Sequence, residues 1–186
     1  MSNKPSLNQV NLAIKKKFGS KKLIFGKGQI GSHVVFVCDI PGPLEHESNK
    51  PVAGPSEKLL NQLLKVAGID KKKVYVTNVV KYSSSADKAL TAKELKANGP
   101  FLKEEIRTVG PKIVVTLGNT ALNGLGVRLP LDNIHGRTLN FGSYELLPTF
   151  HPETALNDAS VKTLMQNDIN KLRDLIAHLK DTPVEV

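Results

Sequence analysis

The stretch Glu145-Leu146-Leu147-Pro148-Thr149-Phe150-His151-Pro152 decides the fold. An apolar, β-prone run ends abruptly in a histidine held in front of a proline. Pro152 biases His151 away from helical backbone angles. It also suits the first turn of a following helix, where a missing N–H costs nothing. His151 is therefore expected at the exit of a strand, in the strand-to-helix turn where α/β proteins keep their chemistry.

Working outward, three more short β-branched runs read as buried strands: HVVFVC (33–38), VYVTNVV (74–80) and KIVVTL (112–117). Helical spacing fills the gaps between them. Ser56 is placed to cap a helix whose Leu59, Leu60, Leu63, Leu64 and Ala67 share one face, closed by Gly68. Thr91 and Glu94 have capping-box spacing and open a helix carrying Leu95, Phe101, Leu102 and Ile106. Gly99-Pro100 should kink or split that helix. Gly118 leads into a short helix, His135-Gly136-Arg137-Thr138 into a weak strand, and Ser160 caps a long closing helix. Strands that alternate with helices predict an α/β fold, a three-layer α/β/α sandwich around a mostly parallel sheet.

Length and composition limit what such a chain can be. At 186 residues it reads as one domain over 23–181, preceded by a basic arm or helix over 1–22. Lys plus Arg number 26 against 17 acids, a net charge of +9, which favours a polyanionic partner, nucleic acid before membrane. The lysines at 15, 16, 17, 21 and 22 read as a solvated arm rather than a dedicated clamp. Cys38 is the single cysteine, so an internal disulfide or a cysteine-rich metal site has no ligands in this chain. The N-terminal residues lack a signal-peptide apolar region, and no window approaches about 18 continuous apolar residues. An intracellular protein, cytoplasmic or nucleoid-associated, is expected.

In a sheet of this kind the ligand cleft lies outside the carboxyl ends of the strands. The residues there are Asp39, Asn78, Gly118 and His151. Each has a plain alternative: a loop cap, a backbone-satisfied amide, a turn glycine, a packed histidine. Taken together they suit a flipped base. Asn78 offers a donor and an acceptor to the edge of uracil, which presents O4 beside N3–H. Asp39 could orient a water or stabilise positive charge on a sugar as the glycosidic bond breaks. His151 could stabilise negative charge on the O2 of the departing base. Gly118 and the helix after it would supply N–H groups for a phosphate.

These residues also carry a resemblance. FGKGQIGSHVVFVCDIPGPLEHE, KPVAGPSEKLLNQLLKVAGI with VYVTNVVKY, PKIVVTLGNTAL and HPETAL, in this order and spacing, resemble the motifs of the uracil-DNA glycosylase superfamily. The resemblance runs from about Phe25 to Lys180 and is nearest to the thermostable, iron–sulfur branch called family 4. It implies a four-stranded parallel sheet between helices and action on deaminated bases in DNA.

Carried over by position, it gives catalytic roles to Asp39, His151 and Glu45, the second acid of the first motif's loop. Base binding falls to Asn78, Val52, Gly54 and Ile40, and DNA-phosphate binding to Gly42, Gly118, Asn119, Pro152 and Thr154. The chain departs from the pattern in several places. Tyr82 and Asn98 stand at two of the cluster cysteines and the other pair has no counterpart, so no iron–sulfur cluster, metal or other cofactor is expected. Val52 stands where an aromatic ring would stack on the base, Asp39 replaces a glutamate, and Asn157 replaces an arginine of the loop that fills the gap left by the flipped base. The loop YSSSADKALT lacks the histidine and arginines of a branch that binds uracil-DNA covalently.

The resulting expectation is a monofunctional DNA glycosylase. It would be a monomer acting on uracil-containing DNA, single- or double-stranded, away from membranes, with a replication or repair protein as candidate further partner. The alternative is a catalytically weak, nucleic-acid-binding member of the fold that serves as an accessory or scaffold in a DNA transaction complex.

Overall fold

A computed structural model describes residues 3–83 and 89–181, with side chains through Leu179. Residues 84–88, the middle of the 82–91 loop, lie outside the described residues, as do the first two residues of the arm and the C-terminal five. The order of elements is α1 (Leu7–Phe18), β1 (Val34–Cys38), α2 (Pro43–Ser48), α3 (Gly54–Val66), a 3₁₀ turn (Lys71–Lys73), β2 (Val74–Asn78), α4 (Ala92–Val109), β3 (Ile113–Leu117), α5 (Asn119–Gly124), α6 (Leu131–Ile134), β4 (Leu139–Asn140), β5 (Glu145–Thr149), α7 (Pro152–Asn157) and α8 (Ala159–Asp181).

The sheet runs β2-β1-β3-β5-β4. Its first four strands are parallel, and β4 is a two-residue antiparallel strand on the edge. The sheet thus has five strands, one more than the resemblance implies, and the extra one is the weak strand expected after His135-Gly136-Arg137-Thr138. β1 and β3 are buried along their whole length, as strands covered on both faces must be. The other edge is covered too. Residues 24–27 run antiparallel to β2, with Lys27 and Val76 exchanging both backbone hydrogen bonds at 2.8 Å and Ile24 N–H donating to the Lys81 carbonyl at 2.7 Å. That segment removes an open strand edge.

Local signals set most helix boundaries. Thr91 and Glu94 form the expected capping box, with the Glu94 N–H donating to Thr91 Oγ1 at 3.1 Å and the Thr91 N–H to Glu94 Oε2 at 3.0 Å. Three details differ from the expectation. α3 begins at Gly54, so Ser56 lies inside it; Pro55 in its first turn is already shaped for helix. α8 begins at Ala159, where Asp158 Oδ1 accepts from the N–H and hydroxyl of Ser160. α4 runs through Gly99-Pro100 as one helix. Pro100 is exposed, so water can serve the carbonyl it leaves unbonded.

α1 is amphipathic. Val10, Ile14 and Phe18 are buried, and the helix packs against α4. Its C-terminal anchor is a ring cluster: Phe18 lies 5.4 Å from Tyr82 and 5.6 Å from Phe101, centroid to centroid.

Candidate active site

Register brings the strand ends together. Cys38 pairs with Asn78, Val37 with Thr116, and Leu117 with Thr149. The residues just beyond, Asp39, Gly118 and His151, therefore emerge side by side. They line a cleft of about 450 Å³ together with Asn119, Thr120, Thr154, Phe150 and the Pro130–Asp132 turn.

His151 is the N-cap of α7. Its Nδ1 accepts the Glu153 N–H at 3.1 Å. That bond fixes the tautomer of the neutral ring, so the proton sits on Nε2. Nε2 lies 3.3 Å from Oδ1 of Asp39. Because a cationic ring also carries a proton there, Nε2 is a donor in either charge state. Burial disfavours the charged ring, but the hydrogen bond and charge of Asp39, with help from Glu153 and Glu45, outweigh it and raise the His151 pKa above 6.5. The Asp39 contact therefore adds stability that is complete below the unfolded value near 6.5 and is lost as pH rises through the folded value. An NMR titration of the His151 ring should show a midpoint above 6.5, and Asp39→Asn should lower it.

Gly118 shapes the same corner. Its φ is +94°, and a Cβ there would lie 3.2 Å from the His151 Cβ. A side chain would be strained in backbone and crowd the histidine at once. Its N–H is already given to the Thr149 carbonyl at 2.9 Å. Asn119 and Thr154 line the cleft beside it, and Pro152, buried, opens α7 below.

The other expected residues lie outside the cleft lining. Asn78 is buried on β2 next to β1. Its Nδ2 donates to the Pro51 carbonyl at 2.9 Å, which fixes the amide orientation. Its Oδ1 is buried with no hydrogen-bond partner among the described residues. Glu45 has both oxygens engaged, Oε2 with the Gly42 N–H at 3.0 Å and Oε1 with the Ala53 N–H at 3.2 Å. It ties the loop after β1 to the segment before α3, which holds buried Val52 and, at the first position of α3, Gly54. The Gly42 amide is thereby occupied, and Ile40 is half-buried against the core.

Two residues that sequence reasoning missed stand directly behind Asn78. Lys81 and Glu105 form a buried ion pair, Nζ to Oε2 at 2.6 Å, with side-chain exposures of 4% and 0%. Lys81 Nζ also donates to Thr77 Oγ1 and to the Asn78 carbonyl, both at 2.6 Å. Glu105 Oε1 accepts from the hydroxyls of Tyr75 and Thr77, both at 2.8 Å. The one available signal was Glu105 falling at helical spacing with Leu102, Ile106 and Val109. Phe150, which lines the cleft, was legible only as a strand residue beside His151, and the Pro130–Asp132 turn gave no signal.

An iron–sulfur cluster does not fit these residues. Cys38 is buried on a central strand, with its thiol pKa pushed up by burial first and by Asp39 and Glu45 next. Tyr82 and Asn98, at the positions equated with cluster cysteines, bond to each other: Asn98 Nδ2 donates to the Tyr82 hydroxyl at 3.1 Å. Among the described residues, no group of three or more His, Cys, Asp or Glu is placed to hold a metal ion. No helix among them is long and apolar enough to cross a membrane.

Comparison with known proteins places the chain in a family. The family model of the uracil DNA glycosylase superfamily matches residues 25–174. The chain is 31% identical over 159 residues to a type-4 uracil-DNA glycosylase of Thermotoga maritima, covering 83% of each chain. It is 28% identical over 160 residues to a type-4 uracil-DNA glycosylase of Sulfurisphaera tokodaii, covering 81% of this chain and 73% of the relative. A DNA polymerase of Bacillus phage SP01 is 26% identical over 162 residues, which are 87% of this chain and 17% of the polymerase. With its strand ends in register, its His151–Asp39 pair and a family match over most of its length, the chain belongs to the uracil DNA glycosylase superfamily.

Proposed function

We propose that this protein is a monofunctional DNA glycosylase that flips uracil, or a related deaminated base, out of DNA and hydrolyses its N-glycosidic bond to leave an abasic site. The observation that carries the reading is Asn78. A buried carbonyl oxygen without a partner costs free energy unless a ligand supplies an N–H. Pro51 takes one Nδ2 hydrogen and leaves the second for an acceptor. An acceptor and a donor on one fixed amide complement N3–H and O4 of uracil.

In this reading the base is held against Asn78 and the 52–54 segment, and the sugar lies over the Asp39–His151 pair. Asp39 orients the attacking water and stabilises positive charge on the sugar. His151 Nε2–H donates to O2 as the base leaves with the bonding electrons. Glu45 serves as the brace of the loop, since both its oxygens are committed to backbone. Asn119 and Thr154 meet the flanking phosphates. Leu156, exposed on α7, is the apolar side chain available to fill the emptied stack. Val52 gives the base less contact than a ring would; base–aromatic stacking is worth about 1–3 kcal/mol.

The test uses labelled single- and double-stranded oligonucleotides containing uracil, hypoxanthine or xanthine, followed by alkaline cleavage of abasic sites. Scission at uracil that is lost on Asn78→Ala is the expected result. Tight binding without scission of any substrate would refute the enzyme and leave the second reading, an accessory nucleic-acid-binding protein, which the likeness to part of a phage DNA polymerase favours.

A further inference from the structure

The lysine-rich segment before β1 lies at the cleft end of the molecule, although its sequence reads as a solvated arm. Residues 24–27 run antiparallel to β2, so the chain traced back from Lys27 reaches the carboxyl end of β2 at Lys22 and Lys21. Lys22 Nζ donates to the His46 carbonyl on α2 at 3.0 Å. His46 Nε2 bonds Ser83, whose hydroxyl donates to the Pro41 carbonyl at 2.7 Å, two residues past Asp39. Lys21 Nζ sits 4.7 Å over the Tyr82 ring. The ring cluster of Phe18, Tyr82 and Phe101 then fixes the last turn of α1, which carries Lys15, Lys16 and Lys17.

All five lysines are exposed, and among the described residues none pairs with a carboxylate. Exposed lysines without an acid partner occur elsewhere too, Lys71, Lys72 and Lys73 among them; what sets these five apart is the segment they share, which is anchored at the cleft end. Glu94 offsets only Lys21, in part, and the cations gathered on α1 and the segment after it repel one another, a cost that a polyanion would relieve.

We propose that Lys15, Lys16, Lys17, Lys21 and Lys22 form a phosphate-binding track for the DNA strand that continues beyond the nucleotide in the cleft. The track rests on the glycosylase reading for its substrate but not for its existence. It acts through charge and carries no base preference, so it sets affinity and salt dependence and leaves the chemical step alone.

The test compares two full-length variants of equal charge. One carries Lys→Gln at 15, 16, 17, 21 and 22. The other carries Lys→Gln at 65, 71, 72, 73 and 103, away from the segment. Anisotropy with a labelled single-stranded oligonucleotide, with and without uracil, is followed across a salt series, and thermal unfolding checks that both variants fold. The first variant should bind about 10-fold or more weakly, with a salt slope flatter by about 2 if some three phosphates are released, and the second should stay near the wild type. Single-turnover cleavage at saturating enzyme should be unchanged in both. Equal losses in the two variants, or no loss in the first, would overturn the track. Loss of binding in the first variant, in a protein that cleaves no substrate, would uphold the track and refute the reading of the cleft.

Discussion

Glu105→Gln should destabilise the protein by about 3–5 kcal/mol, the usual cost of removing one partner of a buried ion pair. The glutamine amide can still accept from Tyr75 and Thr77, so the loss isolates the charge. Lys81 is left with an ammonium that is almost wholly buried and has only neutral acceptors around it. Total stabilities run at about 5–15 kcal/mol, so this one substitution should remove a large share. Urea unfolding checks it: the midpoint should fall sharply with little change in slope. Lys81→Met should be comparably harmful, because it strands the carboxylate. The double variant Lys81→Met/Glu105→Gln should be less destabilised than the two losses added, since no net charge stays buried. A Glu105→Gln protein within about 1 kcal/mol of the wild type would show that the pair is not isolated from water. The network also reaches the site. Lys81 holds the Asn78 carbonyl, so its loss should weaken base binding even in molecules that remain folded.

The second large effect concerns chemistry. His151→Ala and Asp39→Asn should each lower single-turnover excision of uracil about 10²–10³-fold, the range found when a positioned electrostatic donor is removed from a reacting centre. The two side chains meet through one contact at 3.3 Å, so the double variant should lose far less than the product of the single losses. Asp39→Asn has a further signature. Without the carboxylate, burial is opposed only by the charges of Glu153 and Glu45, and the His151 pKa falls. Any limb of the pH–rate profile that reports this ring should shift to lower pH with it. If Asp39→Asn leaves the rate and the profile unchanged, the carboxylate that orients water lies elsewhere, and Glu45 is the next to test. Asp39→Glu is informative because it restores the missing methylene; a rate equal to or above the wild type would show that reach limits the natural residue.

The frame of this molecule was legible because it is written in local patterns. Four apolar runs, each stopped by a polar or glycine residue, gave four parallel strands, and their pairing put Asp39, Gly118 and His151 on one rim. The capping box at Thr91 and Glu94 set the start of α4 for the same reason, since partner and signal are three residues apart. What stayed hidden depends on distance along the chain. Lys81 and Glu105 are 24 residues apart, and nothing in either segment announces that a lysine after a strand will turn inward to meet a helix glutamate. Pro100 was expected to break α4 because proline removes a bond, but whether that breaks a helix depends on which side faces water. Val52 and Gly54 are placed at the base, and Glu45 among the catalytic residues, by motif alone. The hydrogen bonds that Glu45 accepts from Gly42 and Ala53 make it a clasp between two loops, a role that no spacing rule distinguishes from catalysis.

Cys38 gives the protein an internal reporter. It is the single thiol of the chain and is shut inside β1, between β2 and β3. Both low accessibility and a suppressed thiolate protect it from alkylating reagents in the native state. Cys38 ends β1 one residue before Asp39 on the cleft rim, so modification at this sulfur counts openings that part the strand ends beneath the site, up to and including global ones. The rate of thiol labelling is therefore a gauge of how firmly that rim is held, readable by mass alone, on the wild-type protein and with DNA bound or absent.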